Sequence, residues 1–309
     1  MAPQATGDTT VAAPALTSSR ARPYMAWAAG GGVGGGEPDL RLNVQRLGGD
    51  KVVLDEWSAQ APALATSTVP PDPGGPVVAE PLYLAWTGND PVGRLNVMSS
   101  LDGRSFAKNP PLDDTAHGGP ALAVYQGLVV RAWTGGGGLG GGAPDGHLNL
   151  AWSPDGVTWP GGDRIVLPHM SASGPALAGI RDVGVDPFRD GRLWLAWIDA
   201  EGQIFVANCP GTDFGQLATN VERVGSERTF TSPCLATGEN GPWLSWAGVD
   251  GAHKINFMSA PGSAGPFRDK KTVGSEFATS GIAMNILTDT YAYRGTDRVG
   301  RIYLSGPLP

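Results

Sequence analysis

The chain has 309 residues, with Lys+Arg 22 against Asp+Glu 29, a formal net charge of −7 and 17 % charged residues. An acidic balance without any Lys/Arg run argues against binding the phosphate backbone of nucleic acid, and no apolar stretch approaches the ~20 residues a membrane-spanning helix needs. Gly 47 and Pro 27 are high, but Trp, Leu, Val and Ile recur on a fixed pattern, which reads as tight turns between short strands and not as disorder.

Along the chain, Met1 to Ser19 shows no basic start followed by an apolar core, so no secretory leader is expected in the sequence as written. A secreted chain lacking its leader would read the same, and the compartment stays open. Six repeats follow, starting near residues 14, 62, 120, 175, 233 and 281. Each opens on a Pro-Ala-Leu-like start: Pro14-Ala15-Leu16, Pro62-Ala63-Leu64, Pro120-Ala121-Leu122, Pro175-Ala176-Leu177, Pro233-Cys234-Leu235 and the degenerate Gly281-Ile282-Ala283. A second strand ends on Trp27, Trp86, Trp133, Trp197, Trp246 or Tyr293, and a third is usually Leu-Asn-apolar, as in Leu42-Asn43-Val44 and Leu148-Asn149-Leu150. In Leu82-Tyr83-Leu84-Ala85-Trp86 both alternating sets are apolar, as in a strand covered on both faces. Asp-Gly and Pro-Gly turns then lead to a fourth strand ending on an apolar residue such as Leu54 or Leu167.

A period near fifty residues with several short strands per unit predicts an all-β fold, a six-bladed β-propeller of four-stranded antiparallel blades forming a single domain over residues 1–309. The sixth repeat stops after its third strand. A short N-terminal strand around Ala2–Thr6, beside Arg301–Ser305, is therefore expected to supply the missing outer strand and close the ring. Repeats one and three carry matched glycine loops, Gly30–Asp39 and Gly135–Asp145, whereas repeats two and four lengthen the first hairpin through Pro70–Pro81 and Asp182–Arg192. No lysine and no helix start follows the glycines, so they are not phosphate cradles. Cys209 and Cys234 are expected as two free, mostly buried thiols.

Ser153-Pro154-Asp155-Gly156-Val157-Thr158-Trp159 resembles the Asp-box of sialidase-type propellers, Ser-x-Asp-x-Gly-x-Thr-Trp, shortened by one residue. Ser100-Leu101-Asp102-Gly103-Arg104-Ser105-Phe106 is a second copy with Phe in place of Trp. In that family the box is structural, its Asp and Ser tying the turn and its aromatic packing between blades. The family's Arg-Ile-Pro segment is absent, and its Tyr/Glu nucleophile pair and Asp acid find no motif here. The resemblance therefore implies a non-catalytic, lectin-like member. Fucose lectins of similar length, with sugars held between blades, offer an analogy of architecture only.

Arg131 breaks the repeat, since Met25, Leu84, Leu195, Leu244 and Tyr291 occupy its position elsewhere. A guanidinium there needs a carboxylate, carbonyls or water, so it reads either as an internal ion pair or as a ligand-binding group. Asp90, Glu201, Asp250 and Asp297 stand four positions past the strand-two aromatic, and the long loops end on Asp39 and Asp145. These are turn formers or a ring of acceptors on one face, suited to sugar hydroxyls or a cation. His117 and His169 lie on connections entering repeats three and four and, if close to Arg131, would complete one asymmetric site. No metal spacing among the histidines, zinc signature or Gly-x-Ser-x-Gly elbow occurs, so no cofactor or metal is expected. The leading reading is a carbohydrate-binding, lectin-like propeller for glycans or a small polar ligand, without catalytic activity. The alternatives are a glycoside hydrolase acting at the central depression through two carboxylates and a protein-interaction platform. Oligomeric state is not fixed by the sequence.

Overall fold

The computed structural model describes residues 3–19, 22–66, 80–110, 112–180, 191–238, 241–262 and 265–309. The hairpin insertions at Pro70–Pro81 and Asp182–Arg192 lie almost wholly outside these. Apart from short 3-10 turns at Phe214–Ala218 and Ile286–Thr288, the regular elements among the described residues are strands. Strand β1 (Gln4–Thr9) precedes the first repeat. Strands β2 (Ala15–Ser19), β3 (Arg22–Ala28), β4 (Arg41–Arg46) and β5 (Lys51–Trp57) form one antiparallel sheet. Strands β6 (Ala63–Thr66), β7 (Leu82–Thr87), β8 (Leu95–Ser100) and β9 (Ala107–Lys108) form the second. The third holds β10 (Ala121–Tyr125), β11 (Leu128–Thr134), β12 (His147–Ser153) and β13 (Arg164–Met170). The fourth holds β14 (Ala176–Ile180), β15 (Arg192–Ile198), β16 (Gln203–Pro210) and β17 (Val221–Arg228).

The remaining strands are β18 (Cys234–Gly238), β19 (Gly241–Ala247), β20 (Lys254–Ser259), β21 (Arg268–Asn285), β22 (Thr290–Gly295) and β23 (Arg301–Ser305). Here the structure corrects the expectation of six separate four-stranded blades. Four blades stand as discrete four-stranded sheets, and the other seven strands share one sheet in the order β1-β23-β22-β21-β20-β19-β18. The cause is local. Proline opens each of the first five repeats and interrupts the incoming strand, because it has no N–H and fixes φ. Gly281 takes that place in the sixth, so β21 runs through 18 residues, pairing first with β20 and then with β22. The N-terminal strand pairs with β23, Gln4 opposite Leu304 and Ala5 opposite Tyr303, and extends to Thr9, beyond the Thr6 end expected from sequence.

First strands line the axis: β2 packs beside β6, β6 beside β10, β10 beside β14, β14 beside β18, and β21 beside β2. The second strands are sandwiched between neighbouring sheets, and all six residues of β7 are buried. Trp27, Trp86, Trp133, Trp197, Trp246 and Tyr293 are at most 3 % exposed, so this ladder is core and offers no stacking face to a ligand. Four of these tryptophans pair across the sheet with asparagine, as Trp86 does with Asn96. Each such amide donates to the carbonyl two residues earlier, Asn149 to His147 at 2.8 Å. Outer strands alternate exposed and half-buried positions, as in β5, since only one face meets protein. Both thiols are free, Cys209 buried and Cys234 half-buried.

Candidate functional site

The inner strands leave a passage along the axis. On the side of the connections between repeats it opens into a cavity of about 260 Å³, whose lining includes Gln60, His117, Ser173, Thr231, Thr279 and Ser280. Deeper, Leu16, Leu64, Leu122, Leu177, Leu235 and Met284 help bound two further cavities of about 120 Å³ each. At the axial mouth hydroxyl, amide and imidazole groups stand among alanines and glycines; one of the deeper cavities also meets Ser18, Thr66 and Asn285, and none of the three linings contains Asp or Glu.

The loop carboxylates look inward to their own turns. Asp90 accepts from the Val92 and Arg94 N–H groups at 3.1 Å, Asp145 from His147 at 3.0 Å, and Asp250 from Lys254 at 3.0 Å. Asp297 takes the Val299 and Arg301 N–H groups, both at 3.1 Å. In the fourth repeat Asp199, not Glu201, does this work, accepting from Gln203 at 2.8 Å while Glu201 only contributes its N–H. Asp39 pairs with Arg41 at 2.8 Å. Among the described residues no three His, Cys, Asp or Glu side chains gather as a metal site. The glycine loops close on themselves in the same way in both repeats, Gly36 N–H to Gly31 and Gly142 N–H to Gly137, at 2.9 Å. A Cβ on Gly31 would fall 1.6 Å from the Gly36 carbonyl oxygen, which explains why glycine is needed there.

Arg131, His117 and His169 occupy three different surroundings. His117 is exposed and lines the axial mouth. His169 stacks on Trp197 of the fourth repeat with ring centroids 5.3 Å apart, its Nε2 3.0 Å from the Ala218 carbonyl. Arg131, 3 % exposed, lies on the opposite side of its sheet, toward the second repeat. Its guanidinium carbon sits 4.8 Å from the Trp133 ring and 4.6 Å from the Trp159 ring, and one terminal nitrogen pairs with Asp114. Burial lowers its pKa to about 10, against the raising effect of Asp114.

Asp114 belongs to a pattern that strand reading passed over. Six residues ahead of four repeat starts stands a carboxylate: Asp8, Glu56, Asp114 and Glu227. Each meets a cation on the outer strand of the next repeat, in the pairs Asp8–Lys51 (2.7 Å), Glu56–Lys108, Asp114–Arg164 (2.6 Å) and Glu227–Lys270 (2.6 Å). Lys51, Arg164 and Lys270 also lie over the strand-two tryptophans Trp27, Trp133 and Trp246, at 5.8, 5.4 and 5.5 Å. Between repeats three and four the same positions hold His169 and Glu222. The periodic acid could have been read from the sequence. Its partner, 11 or 12 residues ahead of the next repeat start, could not be matched without the ring closing.

The turns at Ser100 and Ser153 are tied by their own side chains. Asp155 accepts from the Thr158 N–H at 2.7 Å, the Val157 N–H at 2.8 Å and the Ser153 hydroxyl at 2.9 Å. These bonds hold its carboxyl down at about 2, and the same arrangement lowers Asp102. Asn109 of the second repeat donates to the Gly156 carbonyl at 2.7 Å, tying the turn to its neighbour.

No family model and no curated protein matches this sequence. Solved structures do match in fold. SapL1 lectin in complex with alpha methyl fucoside superposes with a TM-score of 0.61 at 13 % identity, covering 97 % of this chain and 94 % of the lectin. The fold is that of a β-propeller. A mutant Aleuria aurantia lectin with Fucα1-6GlcNAc gives 0.52 at 8 % identity, over 85 % of this chain and 79 % of that one. A glucose dehydrogenase gives 0.56 at 12 % identity, over 99 % of both chains. At these identities the likeness extends to architecture alone, which hosts binding proteins and enzymes alike.

Proposed function

We propose that this chain is a carbohydrate-binding propeller that holds glycans without hydrolysing them. The observation that carries the reading is the axial mouth, a cavity of about 260 Å³ in which hydroxyls, an amide and an imidazole stand among alanines and glycines, with no carboxylate. Neutral donors and acceptors of this kind suit sugar hydroxyls. Glycosidases acting from a central depression work through two carboxyl groups about 5–10 Å apart, whereas Asp90, Asp145, Asp250 and Asp297 already accept from backbone N–H groups of their own loops. Lectins among the structures of similar fold support the reading, as does the Asp-box-like bonding around Asp155 and Asp102, which favours kinship with non-catalytic sialidase-type propellers. A glycan array, followed by calorimetry on any hit, tests it. Binding that Thr231→Val together with His117→Ala weakens is the expected result. Absence of any glycan binding at millimolar concentration, or turnover of fluorogenic glycosides, would overturn it.

A further inference from the structure

The junction between the second and third repeats differs in charge from those that pair one carboxylate with one lysine. Two guanidiniums, Arg131 and Arg164, share the single carboxylate of Asp114, one on each of its oxygens. Arg164 gives a further bond to the Asn149 amide oxygen at 3.1 Å. That leaves Nε and Nη1 of Arg131 and Nε1 of Trp159, three buried donors in one place with no acceptor among the described residues. Buried donors are normally paired, because leaving them bare forfeits their hydration. Here they lie beside a cluster in which two guanidiniums face one carboxylate. Arg164, beside them, has a side chain 44 % exposed, so the cluster reaches the surface.

The cover over Arg131 is Trp159. It sits between β12 and β13 in the segment Trp159-Pro160-Gly161-Gly162-Asp163, outside any strand. A Cβ on Gly161 or Gly162 would meet nothing within 4 Å, so the two glycines border open space, while the Trp159 ring packs on the core beside Leu95, Ala116 and Trp133. Displacing the indole would open Arg131 toward solvent while Trp133 remains beneath it as a floor.

We infer that this junction is an anion site for a carboxylate group, received by Arg131, Arg164 and the Trp159 N–H once the Trp159 ring shifts off Arg131. Guanidinium and indole N–H groups are directional donors whose charge-assisted bonds favour planar carboxylates. The site goes beyond the carbohydrate reading and does not use the axial mouth. An acidic sugar is one source of such a group and a simple organic acid is another.

Calorimetric titration of the full chain with glucuronate, acetate and glucose at matched ionic strength tests it. Glucuronate and acetate are expected to bind and glucose not to displace them. Arg131→Met should weaken binding at least about tenfold, the loss expected for a charged hydrogen bond. Trp159→Phe keeps the ring, removes the N–H and should weaken binding several-fold, and Arg164→Gln at the surface should do likewise. These two variants keep the test usable should Arg131→Met fold poorly. Acetate binding as tightly as glucuronate identifies a general carboxylate site, and tighter glucuronate identifies an acidic-sugar site. No carboxylate binding, or binding unchanged in all three variants, would overturn the inference. A blank glycan array beside Arg131-dependent glucuronate binding would remove the carbohydrate reading and leave this site standing. Neutral-glycan binding without carboxylate binding would do the reverse.

Discussion

Two junctions of the ring share one design and differ in one added charge. Between repeats four and five, Glu227 meets Lys270 over Trp246, one charge against one, with the lysine 37 % exposed. Between repeats two and three, Asp114 meets Arg164 over Trp133 in the same manner, but Arg131 is added beneath. The first arrangement is a neutral latch that water can dissolve at little cost. The second buries a cation whose carboxylate, among the described residues, is shared with Arg164. A repeat protein thus shows its special position where the common pattern carries one charge too many.

Asp114→Ala should sharpen that difference most. It strands Arg131 in the core without a counter-charge and is expected to cost about 3–5 kcal/mol, read from urea unfolding. Arg131→Met is gentler, since Asp114 keeps Arg164 and two bare donors vanish; a loss of about 0–2 kcal/mol is expected in the same assay, as for apolar replacement of a buried ion. Glu227→Ala should cost less than about 1 kcal/mol, and equal losses for Glu227→Ala and Asp114→Ala would erase the contrast between the junctions.

The smallest effect concerns the turn at Asp155, through pH. Its carboxyl is held at about 2 by the Thr158 and Val157 N–H groups, below the ~3.9 of an unfolded aspartate. Its contribution is therefore complete above about pH 4 and lost as pH falls through 2. Thermal melting of the wild type should exceed that of Asp155→Asn at pH 7, and the gap should close between pH 4 and pH 2. A gap independent of pH would show that the charge does not tie the turn.

Much of this architecture could be read before any coordinates. Alternation within Leu82–Trp86 marks a strand covered on both sides, and the recurring tryptophans mark the core, because period and burial are local properties. The merging of the last seven strands was hidden for the opposite reason. Gly281 looked like a degenerate repeat start, whereas its consequence is that no proline stops β21. The site was less legible. Arg131 stood out as a charge in an apolar column, but Asp114, Trp159 and Arg164 come from other strands and turns, and only closure of the ring brings them together. Asp90, Asp145, Asp250 and Asp297 suggested a ring of acceptors, yet within each loop the backbone N–H groups two or four residues on take the carboxylate first.

The most direct test of the contrast between junctions is a crystal soaked in glucuronate. The expected result is carboxylate density beside Arg131 and Arg164, with the Trp159 ring shifted so that its N–H donates to the carboxylate, and nothing bound at Lys51, Lys108 or Lys270. An unoccupied Arg131 junction with Trp159 in place, or density at the lysine junctions instead, would contradict it.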